Sequence, residues 1–136
     1  MVVANYVHYY EPAKLTLGGE QDRSHDFRTD RLLFGRAQDY EASEWRGGID
    51  AEAPEEDAPA ARRPEAHFGP IGSGEKVVAD EEALRRLLAG CPKMLATAME
   101  GAGVARAATN HGDRSLAFLE VRGISDYADH HGSSDH

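Results

Sequence analysis

The sequence contains a single cysteine, Cys91, so no intramolecular disulfide can form within the chain. It has no run of about 18 apolar residues, and its first residues lack the basic and apolar regions of a signal peptide. We therefore expect a protein of the reducing cytoplasm with no membrane partner. Cys91, which precedes Pro92, is interpreted as a small buried residue rather than a nucleophile.

Basic residues are also scarce, with 15 Lys and Arg against 24 Asp and Glu, for a formal net charge of -9. Coulomb repulsion then disfavours nucleic acid or an anionic membrane as a general partner, although a small anion can still bind locally. The 136 residues are 40% hydrophobic, which is enough for one domain with a modest core.

The most informative stretch is LAFLEVRGISDYAD, from Leu116 to Asp129. Its apolar run, Leu116 to Val121, predicts a buried strand that delivers Arg122, Ser125 and Asp126 to one edge of a sheet. Ligands of open α/β sheets bind at the carboxyl ends of the strands, so any active site should lie there.

Other segments alternate between strand and helix patterns. In chain order, the prediction gives strands 2–10 and 14–17, helix 29–42 with Thr29 as N-cap, strand 67–73, helix 81–88 capped by Asp80, strand 94–98, and a helix from Met99. Such alternation predicts an α/β fold of three layers, αβα, around a mostly parallel or mixed sheet. Residues 43–66 are rich in Pro and acidic residues and are expected to form a flexible acidic loop.

The tail, residues 130–136, is expected to be disordered, and its histidines are too loosely placed to predict a metal site. Tyr6, Tyr9 and Tyr10 in the first strand have two interpretations, the wall of a base-binding pocket or ordinary packing. Packing is the more frequent role of aromatic residues in strands and is favoured.

Two carboxylates, Glu100 and Asp126, follow predicted strands at equivalent places and are expected to face one cleft. Glu100 also lies near a helix N-terminus, which favours its ionised form. A fixed carboxylate can accept hydrogen bonds from sugar hydroxyls, and Asp126 would be the candidate acid. The structural alternative, helix capping by the acids and charge neutralisation by Arg122, has equal weight on the residues alone.

Three segments together resemble a known family: FGPIGSGEKVVAD (68–80), AMEGAGVA (98–105) and RGISDYAD (122–129). In content, order and spacing they are similar to the purine nucleoside phosphorylase and nucleosidase superfamily, which includes methylthioadenosine/adenosylhomocysteine nucleosidases. The resemblance extends over nearly the whole chain. It implies cleavage of the N-glycosidic bond of a purine nucleoside through an oxocarbenium-like transition state.

The resemblance also implies roles for individual residues. Asp126 would protonate or hydrogen-bond the leaving base at N7, with Arg122 and Ser125 orienting the carboxylates. Met99 and Glu100 would contact the ribose, and Val77 and Val78 would border the base. The family often has an aromatic residue at the position of Val77, and many nucleosidases have a glutamate at that of Ala98.

Residues 1–136 are expected to correspond to the C-terminal half of the family's domain, so the fold would be incomplete. The resemblance implies no cofactor and leaves phosphate or water as the nucleophile. The expected partners are a purine nucleoside and either further copies of the chain or the missing half. The alternative function is a catalytically inactive remnant that binds nucleosides or other proteins.

Overall fold

The computed structural model describes residues 1–40, 42–49, 64–76, 78, 80–112 and 116–125. Seven strands and four helices occur in these ranges. In chain order they are β1 (Val2–Tyr9), β2 (Ala13–Thr16), β3 (Gly19–Asp22), β4 (His25–Arg28), α1 (Arg31–Asp39), α2 (Ala42–Gly47), β5 (His67–Ser73), α3 (Glu81–Gly90), β6 (Ala96–Ala98), α4 (Gly101–Thr109) and β7 (Val121–Arg122).

The main sheet is mixed and is built on β1. One edge of β1 pairs in parallel with β5, which in turn pairs in parallel with β6. The other edge is shared by two antiparallel strands, with β4 opposite residues 6–9 and β7 opposite Val2 and Val3. The expectation of a mostly parallel or mixed sheet is confirmed in its mixed form.

The core lies on the face of the sheet covered by α4. Val2, Ala4 and Val7 of β1 share this face because a shift of register between Ala4 and Val7 changes the usual alternation. They form a buried cluster with Ile71 of β5 and with Ala102 and Ala105 of α4. The small side chains of α4 allow the helix to approach the sheet closely.

Helix α1 packs on the opposite face. Phe68 of β5 is the cross-strand partner of Val3, whose side chain points away from that of Val2. The ring of Phe34 in α1 meets Phe68 edge-on, with centroids 5.8 Å apart. Helix, sheet and helix therefore form the three layers that the strand and helix pattern predicts.

The start of α1 differs from the prediction by one residue. Asp30, not Thr29, is the N-cap, and its carboxylate accepts hydrogen bonds from the amides of Leu32 and Leu33. The Thr29 hydroxyl instead donates to the carbonyl of Ala4 at 2.7 Å. The Thr29 hydroxyl thus makes a tertiary contact with β1 instead of the helix cap that the sequence pattern predicted.

The prediction of a long buried strand from Leu116 to Val121 was wrong. Only Val121 and Arg122 form strand β7, and Leu116 is exposed. The carbonyl of residue 120 still accepts from the amide of Ala4 in β1, and the carbonyl of residue 118 accepts from the amide of Asp30 at the start of α1. The segment lies along β1 without the regular pairing of a strand.

Three further differences concern the loops. The predicted flexible loop 43–66 begins within α2, while residues 50–63, Asp126 and the tail 130–136 lie outside the described residues. The short strand predicted at 14–17 is one arm of a β2–β3 hairpin, which turns at Gly19 with a positive φ of 111°. Strands β3 and β4 were not predicted.

Helix α3 agrees with its prediction at the N-terminus, where the Asp80 carboxylate accepts from the amide of Ala83. It extends two residues beyond Leu88, through Gly90. Within the described ranges, every helix is too short to cross a bilayer.

We predict that Ile71→Ala lowers the free energy of unfolding by about 2–5 kcal/mol, because Ile71 is fully buried between β1 and α4 and its loss leaves a cavity. Ile49→Ala is the matched control, since Ile49 is 42% exposed, and should change it by about 0.5 kcal/mol or less. Urea unfolding followed by circular dichroism measures each effect. Equal losses for the two variants would contradict the described core.

Candidate functional site

A cleft of about 280 Å³ is lined by residues at and just after the ends of β6 and β7. It lies between the turn that links β6 to α4 and the residues that follow β7. Its walls are formed by Lys76, Val78, Thr97, Ala98, Met99, Glu100, Arg122, Gly123, Ile124 and Ser125. Five of the seven residues that the sequence analysis selected, Val78, Met99, Glu100, Arg122 and Ser125, therefore share one cleft.

The reason for this convergence differs from the one expected. Glu100 follows β6, which runs parallel to β5, whereas β7 runs antiparallel to β1. The two strand ends are therefore not equivalent, and the argument from a common carboxyl edge was wrong for β7. The remaining two selected residues, Val77 and Asp126, lie outside the described residues.

An ion pair spans the cleft. The Nη2 of Arg122 donates to Oε2 of Glu100 at 2.7 Å. This hydrogen bond holds the pKa of the Glu100 carboxyl below its usual range. Glu100 is thus an exposed carboxylate that stays ionised and is fixed in direction by a guanidinium.

Arg122 has a second carboxylate partner. Its Nε donates to Oε1 of Glu120 at 2.8 Å, and the Glu120 side chain is only 6% exposed. Hydrogen bonding to Glu120 first, and to Glu100 next, raises the pKa of Arg122 above its ordinary value, against an opposing effect of burial. The guanidinium of Arg122 therefore donates hydrogen bonds to a buried carboxylate and to an exposed one.

The backbone around Glu100 is fixed by β5. The amide of Gly74 donates to the carbonyl of Ala98, and the buried hydroxyl of Ser73 accepts from the amide of Ala102 at 2.9 Å. Glu100 occupies the N-cap position of α4 but makes no side-chain capping bond. Because Ser73 satisfies an amide of the first turn, the Glu100 carboxylate is free to pair with Arg122.

The three tyrosines in β1 and just after it, Tyr6, Tyr9 and Tyr10, do not line this cleft. Tyr6 contacts the Cys91 thiol, which together with burial raises its pKa to about 12. Tyr9 donates to Glu75 and lies under the guanidinium of Arg106, and Tyr10 is next to Gly72 and Gly74. Of the two interpretations, packing fits these contacts, and Cys91 is buried as expected.

Sequence reasoning missed Lys76, Thr97 and Glu120. Thr97 and Lys76 line the cleft but gave no pattern of their own. Glu120 lies inside the apolar run, between Leu119 and Val121. A single acidic residue within a run predicted to be buried is the signal that could have revealed it.

Comparison with known families decides the classification. The model of the phosphorylase superfamily matches residues 4–136. The chain belongs to the phosphorylase superfamily. The resemblance of the three segments in the sequence is thereby confirmed, while no sequence among curated proteins matches this chain.

Solved structures share the superfamily fold. A 5′-methylthioadenosine/S-adenosylhomocysteine nucleosidase from Streptococcus pneumoniae, with a transition-state inhibitor, superposes with a TM-score of 0.65 at 24% identity, covering 95% of this chain and 49% of its own. The S-adenosylhomocysteine nucleosidase from Streptococcus pyogenes, in complex with 5-methylthiotubericidin, gives 0.63 at 22% identity, with 95% and 48% covered. This chain spans about half the length of these structures, in agreement with the partial match expected.

We predict that Ser73→Ala lowers the free energy of unfolding by about 1–2 kcal/mol, because the amide of Ala102 loses a buried partner at the start of α4. Ser24→Ala is the control, since the hydroxyl of Ser24 donates to Asp22 in an exposed contact. Chemical denaturation of the two variants gives the comparison. A loss no greater than the control's would mean that Ser73 does not cap α4.

We predict that Arg122→Met raises the pKa of Glu100 towards its ordinary value, since it removes the main cause of the depression. A group with a lowered folded pKa contributes stability above its unfolded pKa and loses it as the pH falls through the folded value. The native protein should therefore gain this contribution above the unfolded pKa and lose it as the pH falls, whereas the variant should show little of this pH dependence.

Carboxyl ¹³C NMR of the Glu100 side chain measures the pKa directly. Arg106→Met is the control. Arg106 is in α4, the helix that begins after Glu100, but its guanidinium lies over the ring of Tyr9. An unchanged Glu100 pKa in Arg122→Met would exclude the ion pair.

Proposed function

We propose that this chain forms the ribose-binding and leaving-group side of a site that cleaves the N-glycosidic bond of purine nucleosides. The observation that carries the proposal is the Glu100–Arg122 ion pair in a cleft shared with Met99 and Ser125. Membership of the superfamily and the fold shared with nucleosidases support the same reaction class.

The first requirement of this reaction is a fixed acceptor for the sugar. Glu100 is ionised and exposed in the cleft, and one of its oxygens is held by Arg122. Its carboxylate would accept hydrogen bonds from the ribose hydroxyls, and its charge would favour the positive charge that develops on the ring. Met99, also exposed in the cleft, would pack against the sugar.

The second requirement is a route for the leaving base. When the bond between C1′ and N9 breaks, its electron pair goes to the purine, which then needs a proton or hydrogen bond at N7. Asp126, next in the chain after Ser125, is our proposed donor of that proton. Val78 in the cleft and the neighbouring Val77 would border the base.

The third requirement is a nucleophile, whose oxygen forms the new bond to C1′. Water would yield free ribose, and phosphate as a co-substrate would yield ribose 1-phosphate, with no further cofactor. This chain spans about half the length of its solved neighbours. We therefore propose that the residues that bind the nucleophile come from further copies of the chain or from the other half of the domain. The proposed compartment is the cytoplasm, which suits a free buried thiol at Cys91.

A second candidate function is binding of a purine nucleoside without turnover. Coverage of only about half of each neighbour favours it, because the proposed ribose-binding side would then act without the proposed nucleophile side. Such a module would use Glu100 and Arg122 for recognition alone.

We predict that the folded chain releases free base from purine nucleosides and that Asp126→Asn lowers the rate by about 10²–10⁴, the usual contribution of a general acid. Glu100→Gln should also lower it, because the developing charge on the ribose loses its counter-charge. The assay is chromatographic detection of the base over a panel of nucleosides, with and without phosphate.

The control variant is Asp39→Asn, at the last residue of α1, which is not among the residues that line the cleft. Dependence on phosphate would identify a phosphorylase, and release without it a hydrolase. Binding of nucleoside without release favours the second candidate function. Neither binding nor release by folded protein would overturn the proposal.

A further inference from the structure

Glu120 carries an acidic side chain that is almost completely buried. It is 6% exposed, and its neighbours in the chain are Leu119 and Val121. Burying a carboxylate costs free energy unless a cation and hydrogen bonds compensate it. Packing alone would be served better by an apolar residue at this position.

The only cation bonded to this carboxylate in the described part of the chain is Arg122. Oε1 of Glu120 accepts from Nε of Arg122 at 2.8 Å, while Oε2 is buried and has no hydrogen-bond partner among the described residues. The backbone of Glu120 is held as well, because its carbonyl accepts from the amide of Ala4 in β1 at 2.9 Å. The position of Glu120 is thus fixed by a backbone hydrogen bond to the central strand, β1.

The start of α4 leaves space for this carboxylate. A Cβ built at Gly101 would overlap the carboxylate of Glu120, with the Cδ atom at 2.9 Å. Gly101 is buried, so a larger residue there must displace the Glu120 side chain. By contrast, a Cβ at Gly103, two residues later in the same helix, meets nothing within 4 Å.

We propose that Glu120 is a positioning residue, which holds the guanidinium of Arg122 so that its Nη2 reaches Glu100 across the cleft. The glycine at position 101 is required for this because it admits the carboxylate. Glu120 acts through Arg122 and touches no substrate. The inference deepens the proposed function, since Glu100 is the proposed acceptor for the ribose.

The test is the pKa of Glu100, measured by carboxyl ¹³C NMR in the full chain. A positioning role of Glu120 and a simple charge effect of Glu120 predict opposite changes in the pKa of Glu100 when Glu120 is replaced. Removing a nearby negative charge lowers the pKa of Glu100, whereas releasing Arg122 raises it. Glu120→Leu should therefore raise the pKa, because the loss of the anchor for Arg122 dominates.

Glu120→Gln keeps an oxygen acceptor for Nε of Arg122 but removes the charge. It should leave the pKa of Glu100 at or below its native value. Gly101→Ala should raise the pKa by displacing the carboxylate, and the matched control Gly103→Ala should leave it unchanged. Circular dichroism of each variant establishes that it is folded, and Gly101→Ala keeps the test decisive if Glu120→Leu does not fold.

A common shift of the pKa in Glu120→Leu and Glu120→Gln, in either direction, would overturn the inference, as would equal behaviour of the two glycine variants. Adenosine binding gives a second readout, and Glu120→Leu should weaken it about tenfold, with recovery in Glu120→Gln. If the native chain binds no nucleoside, the proposed function fails while the pKa series still decides the role of Glu120.

Discussion

Parallel pairing of β1 with β5 is the contact on which the rest of this structure depends. It places Val7 against Ile71 at the centre of the core, and the parallel pairing of β5 with β6 then aligns the ends of those two strands. Ser73, the last residue of β5, then reaches the first turn of α4. The position of Glu100 is therefore set by strand pairing that begins at the first residues of the chain.

Arg122, a cation that lines the cleft, binds two acids in different surroundings. Glu120 is withdrawn from water, whereas Glu100 faces the cleft, and Arg122 joins them. Such an arrangement gives one carboxylate a defined direction without removing it from solvent. The interactions are short-range in space, but Arg122 and Glu100 are 22 residues apart in the chain.

Local signals made part of this architecture predictable from sequence. The Val- and Tyr-rich start gave β1, and Asp80 before two glutamates gave the beginning of α3, because caps and side-chain preferences act within a few residues. β4 was missed because Phe27 is its only buried residue, so it shows no alternation. The direction of β7 and the role of Thr29 depend on contacts with β1, which no window of sequence around them contains.

The same limit applies to the site. Arg122 and Glu100 were selected through motifs, and the structure brings them together, but through an antiparallel strand that the motifs do not reveal. Glu120 carries no motif and gains its meaning only from the space above Gly101. The unequal exposure of the two acids has a consequence for ionic strength: added salt screens the bond of Arg122 to Glu100 far more than its bond to Glu120. The bond of Arg122 to Glu120 is therefore the better protected of the two, and the bond to Glu100 is the more open to competition from a polar ligand.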